Sequence, residues 1–96
     1  MKKMKCIIID DEPIARQIIE TYCSHLPELE VIASVGNALE GKQLIQKNPI
    51  DLIFLDINMP VLDGLSFLKT LSSPPQIIFT TAYNLFLLKF RQPIFR

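Results

Sequence analysis

Residues 6–13 read CIIIDDEP. Three isoleucines run straight into Asp10, Asp11 and Glu12, and Pro13 follows. The apolar run is a short buried strand, KCIIID over 5–10, and Pro13 suits the first turn of a helix, where no amide hydrogen bond is lost. The acids need an explanation. Two carboxylates about 5 Å apart repel by about 3 kcal/mol at an effective dielectric near 20. A strand end that gathers such charges calls for something to offset them.

Outward from this stretch the pattern alternates. After Pro13, Ile14, Ile18, Ile19, Tyr22 and Leu26 form an apolar stripe at helical spacing. EVIASVG, 30–36, is a second strand. Asn37 with Glu40 three residues on opens the next helix as a capping box, Leu39, Leu44 and Ile45 give that helix its apolar side, and Pro49 ends it. DLIFLD, 51–56, is a third strand, again apolar and again ending in Asp. NMPVLDG is a loop with a turn-forming Asp63-Gly64. Leu65, Phe67, Leu68 and Leu71 mark a short third helix, and QIIFTT, 76–81, is a fourth strand. Continuous apolar strands alternating with helices predict an α/β fold: a doubly wound parallel sheet with helices on both faces.

The chain has 96 residues, 49% of them hydrophobic, which suits one domain spanning 1–96 with a small core. Ten basic residues balance ten acidic ones, so net charge points to no particular partner. All ten acids lie at or before Asp63, and the later residues carry only Lys69, Lys89, Arg91 and Arg96 as charges. Cys6 and Cys23 lack metal-site spacing and read as small buried thiols in a reducing compartment. No stretch has the length of a signal peptide's apolar region or of a membrane span. The expectation is a cytoplasmic protein that neither enters a membrane nor binds nucleic acid directly.

In an open parallel sheet, ligands bind outside the carboxyl ends of the strands. Asp10 and Asp11 leave the first strand there, Asp56 the third and Thr81 the fourth. Three carboxylates and a hydroxyl therefore converge in one crevice. Such a donor set suits a hard cation, Mg²⁺, and an Asp beside that ion can act as nucleophile in phosphoryl transfer.

Three segments, IIIDDEP, IFLDINMPVLDG and IIFTTAY, in this order and spacing, resemble the receiver domain of two-component response regulators. The resemblance runs from residue 5 to about 84. It implies the flavodoxin-like fold with strand order 2-1-3-4. It implies that Asp56 accepts phosphate from a sensor histidine kinase, that Asp11 ligates Mg²⁺ directly, that Asp10 acts through water, and that Asn58 adds its backbone carbonyl. Thr81 matches the hydroxyl that senses the phosphoryl group. Asn58 and Tyr83 match two variable positions that tune dephosphorylation. IIFTTAY also resembles receivers joined to LytTR-type DNA-binding domains.

The chain leaves this pattern after Asn84. The family continues with a fourth helix, a fifth strand ending in Lys-Pro and a fifth helix, whereas this chain reads LFLLKFRQPIFR and stops. The expectation is a truncated receiver without the fifth strand and fifth helix. Lys89 lies too near Thr81 to stand for the family's lysine. The open edge of the fourth strand, or the apolar tail, then predicts self-association, with the tail either covering that edge or joining a partner.

Asp51, Thr80 and His25 read as ordinary structural or surface residues, Thr80 facing away from Thr81. The leading function is a phosphoacceptor module of a phosphorelay, itself no enzyme beyond its own phosphorylation and dephosphorylation. The alternative is a degenerate receiver that works as a dimerisation or interaction module. A phosphotransfer enzyme of the Asp-nucleophile hydrolase type is disfavoured, because no Asp-x-Asp pair occurs on the first strand.

Overall fold

The computed structural model describes residues 3–59 and 63–80, with the backbone of 88–90. Its element order is β1 (Met4–Ile9), α1 (Pro13–Ser24), β2 (Leu29–Val35), α2 (Ala38–Lys47), β3 (Leu52–Asp56), α3 (Gly64–Lys69), β4 (Gln76–Thr80) and β5 (Leu88–Phe90). The sheet runs β2-β1-β3-β4-β5. Its first four strands are parallel and stand in the expected order 2-1-3-4.

Alternation along each strand sends side chains to opposite faces. On one face Ile7, Ile9, Ile53, Leu55, Ile77 and Phe79 pack with Ala38 of α2, Met59, and Phe67 of α3. On the other, Cys6, Ile8, Leu52 and Phe54 pack with Ile19 and Cys23 of α1. β1 and β3 are buried on both faces, so their sequences are apolar throughout. β2 is an edge strand, and its half-exposed pattern follows from that place.

Local chemistry sets the helix starts. Asn37 caps α2, its side-chain oxygen accepting from the Glu40 backbone amide at 2.9 Å, while its side-chain NH2 donates to the Glu40 carboxylate at 3.2 Å, a side-chain link where a capping box would use the Asn37 backbone N–H. Asp63 does more than turn the chain: its carboxylate accepts from the Ser66 amide at 2.8 Å and caps α3. Asp51 is exposed but not merely solvated, since its carboxylate accepts from the Lys5 amide at 2.8 Å and ties the start of β1 to β3.

Two expectations need correction. The apolar stripe of α1 is turned: Ile19 and Cys23 face the sheet, while Ile14, Tyr22 and Leu26 are exposed. Leu39 of α2 is exposed as well. The second correction concerns the far edge of the sheet. The backbone of Leu88–Phe90 pairs antiparallel with β4, Ile77 opposite Phe90 and Phe79 opposite Leu88. The strand-four edge is therefore covered at these positions rather than open. This β5 is antiparallel and three residues long, and the parallel part of the sheet keeps the four strands expected.

Candidate functional site

Each strand end delivers one acid because the strand's alternation continues into it. Asp10 follows Ile8 and Asp56 follows Phe54 on the α1 face of the sheet. Both are almost wholly buried, at 3% and 1% exposure. Asp11 is exposed beside them. Oxygens of Asp10, Asp11 and Asp56 all lie within 4.8 Å of one another.

Backbone hydrogen bonds hold the acids in place. The Asp10 amide donates to Val35 O at 3.1 Å and extends the β1–β2 ladder past Ile9. The Asp10 carboxylate accepts from the Glu12 amide at 2.9 Å, which closes the turn into α1. The Asp56 carboxylate accepts from the Asn58 amide at 3.1 Å. The Ile57 amide donates to Thr80 O at 3.1 Å, and the Gly64 amide to Ile57 O at 3.0 Å, so the loop after Asp56 is tied to β4 and to the start of α3. Gly64 is needed for that second tie. A Cβ there would lie 2.5 Å from the Asp56 carbonyl oxygen and 3.1 Å from Ile57 Cα, both backbone atoms.

The cluster is electrostatically unfavourable by itself. Burial is the largest cause that pushes the Asp56 carboxyl up to about 6; the Asn58 amide opposes it, and the charges of Asp10 and Asp11 add to it. Asp10 is pushed up for the same leading reason, with Asp11 and Glu12 adding repulsion. One cation lies close by: Arg16 Nη1 donates to the Asp10 carbonyl oxygen at 2.6 Å.

This donor set fits a hard divalent cation. It consists of carboxylate oxygens without histidine or thiol, close enough to share one ion and short of positive charge. Such an ion would relieve the repulsion that raises both buried acids. The two thiols stand apart from it, in the cluster under α1, and are free. Burial raises Cys6 to about 12 and raises Cys23 too.

The structure thus brings together Asp10, Asp11 and Asp56, with Asn58 adjoining through its amide. Thr81 and Tyr83 lie outside the described residues. One residue near the cluster escaped sequence reasoning. Arg16 sits one turn into α1, where only the folded turn brings it back to Asp10. Thr80 is buried beside Asp56 as its register partner on β4.

Comparison with known proteins agrees with this geometry. The family model of the response regulator receiver domain matches residues 6–88. The transcriptional regulatory protein BtsR of Escherichia coli is 34% identical over 88 residues, which cover 90% of this chain and 37% of that protein. The chain thus spans little more than a third of the length of this curated relative. Among solved structures, the response regulatory domain of protein mrkE from Klebsiella pneumoniae matches with a TM-score of 0.72 at 34% identity, covering 84% of this chain and 69% of that one. The MaeR response regulator bound to beryllium trifluoride matches with a TM-score of 0.76 at 26% identity, covering 84% and 69%. With the sheet order, the acid cluster and these matches in hand, the chain belongs to the response regulator receiver domain family.

Proposed function

We propose that residues 1–96 act as one phosphoacceptor module of a two-component relay, with Asp56 as the residue that takes the phosphoryl group. The observation that carries this reading is the convergence of three carboxylates within 4.8 Å, two of them buried, at the carboxyl ends of β1 and β3. Carboxylates in that position are costly unless they serve a cation and a nucleophile.

In this reading Asp10 and Asp11 hold Mg²⁺ together with Asp56 and the Asn58 carbonyl. The bound ion supplies charge neutralisation for the carboxylates and for the oxygens of the incoming group. The donor is a phosphohistidine of a sensor kinase. An Asp56 carboxylate oxygen attacks phosphorus, the P–O bond forms, the P–N bond breaks, and the histidine nitrogen leaves with its electron pair. The Asn58 amide fixes the orientation of the Asp56 carboxylate. Arg16, by holding the Asp10 carbonyl, keeps the turn between β1 and α1 in shape. Thr81 senses the phosphoryl group, and Tyr83 and Asn58 tune its loss.

Intact mass after incubation with a small phosphodonor tests the reading. A Mg²⁺-dependent gain of one phosphoryl group, absent in Asp56→Asn, is expected. No gain while Mg²⁺ binds would favour a receiver that persists as an interaction module. One observation gives that second reading substance. The β4 edge is covered by a short antiparallel strand from the tail, a segment that two copies can exchange.

A further inference from the structure

Arg16 stands beside the acid cluster, yet the bond it makes there is to a carbonyl. Its Nη1 donates to the Asp10 backbone oxygen at 2.6 Å. That oxygen belongs to the peptide that joins Asp10 to Asp11, two of the three clustered acids. The other side of Asp10 is tied as well, because its amide donates to Val35 O at 3.1 Å. Val35 is the last residue of β2, and Gly36 follows it. A Cβ on Gly36 would lie 3.2 Å from Arg16 Nη1 and 3.9 Å from its Cζ. The guanidinium thus passes the end of β2 against bare backbone on its way to Asp10. No positive φ calls for glycine at position 36. What glycine supplies there is room.

Asp11 is exposed, so the direction of its carboxylate depends on the peptide that carries it. Mg²⁺ shared by oxygens within 4.8 Å of one another tolerates little misplacement of any of them. Freed from the guanidinium, the Asp10–Asp11 peptide can turn, and the cluster loses its arrangement before the ion arrives. We infer that Arg16 and Gly36 form a latch that sets the affinity of the acid cluster for Mg²⁺. Arg16 is a positioning residue that acts through the Asp10 carbonyl, and Gly36 leaves the space in which it does so. The inference rests on the reading of Asp10, Asp11 and Asp56 as a Mg²⁺ site. Charge alone predicts the opposite sign: a guanidinium near the site repels Mg²⁺, so its removal would tighten binding.

Calorimetric titration of the full chain with Mg²⁺ separates the two, with urea unfolding of the metal-free protein in parallel. Arg16→Met keeps the apolar stem and removes the guanidinium. It is expected to weaken Mg²⁺ binding by about tenfold, as loss of a residue that orients a metal ligand does. Gly36→Ala should weaken binding by about two- to fivefold in the unaltered chain and leave it unchanged in the Arg16→Met chain, because the atoms its methyl meets are those of the guanidinium. A merely structural role would lower stability in urea and leave the Mg²⁺ affinity of the folded chain where it was. Equal or tighter Mg²⁺ binding in Arg16→Met would overturn the latch. So would a Gly36→Ala effect of the same size in both backgrounds, or in neither. Where Arg16→Met fails to fold, Gly36→Ala decides alone: weaker binding supports the latch and unchanged binding overturns it. No Mg²⁺ binding by the unaltered chain would overturn the metal-site reading itself, and this inference with it.

Discussion

Asp56 stands between two demands. A nucleophile must be ionised near neutral pH, yet burial and two neighbouring acids favour its proton. The consequence for stability has a definite sign. The unfolded carboxyl titrates at its ordinary value of 3.8 and the folded one at about 6. Below the first value both states hold the proton and the folded chain suffers nothing. As pH rises through this window the unfolded chain gives up its proton first, so stability falls, and it stays lower above about pH 6. Urea titrations of metal-free protein should show this fall. They should also show Asp56→Asn more stable by roughly 1–3 kcal/mol at pH 7.5, with a flatter profile. A variant no more stable than its parent at that pH would mean that the acids do not strain the fold. Added Mg²⁺ should narrow the difference by favouring the ionised native form. The three acids were legible in the sequence because they stand at the carboxyl ends of two apolar strands, where an open parallel sheet binds its ligands. Thr80, set down as structural, is buried as the register partner of Asp56 on β4. Arg16 could not be read at all, since its bond to the Asp10 carbonyl exists only once the turn closes.

The elements were legible where apolar runs were short and bounded by Asp, Gly or Pro, as at β1, β3 and β4. The orientation of α1 was not. Its sequence carries two neighbouring stripes, one through Ile14, Ile18 and Tyr22, the other through Ile19 and Cys23, and periodicity alone does not rank them. The fold chooses the second, and the exposed Tyr22 and Leu26 are left beside a groove floored by Phe54 and Ile78. The choice has a chemical readout. Cys6 and Cys23 are sealed between α1 and the sheet, with both thiols raised by burial. Alkylation at pH 8 should leave the native chain largely unmodified and label both thiols in denaturant. Rapid native labelling at both would mean that α1 does not cover β1 as described. The start of α3 makes a second test. Gly64→Ala puts a methyl against the Asp56 carbonyl, and neither partner can yield without moving the loop that carries the nucleophile. The variant should lose roughly 1–3 kcal/mol of stability and accept phosphate more slowly. Unchanged unfolding and unchanged phosphorylation would show that this approach is slack.

At the scale of the molecule, alternation of strands and helices predicts the parallel sheet, its order 2-1-3-4 was implied by the family resemblance, and the structure has both. At the far edge the sequence left two alternatives for the tail, because LFLLKFRQPIFR carries neither helical nor strand periodicity. Backbone pairing needs no side-chain pattern, and Leu88–Phe90 pairs with β4 all the same. Three antiparallel residues make a weak closure, and among the described residues β5 is the last strand of the sheet. Self-association by exchange of this strand is expected, and light scattering at tens of micromolar should show dimers. A monodisperse monomer would remove that expectation and the interaction reading that leans on it. The central claim is that this arrangement of strands makes Asp56 a phosphoacceptor. The measurement that bears on it most directly is the position of the phosphoryl group. The chain would be phosphorylated with a small donor in Mg²⁺, reduced with borohydride so that an acyl phosphate becomes homoserine, digested and mapped. Homoserine at position 56 and nowhere else is the predicted result. Homoserine at Asp10 or Asp11, or at no position when the intact mass shows phosphate, would contradict the account.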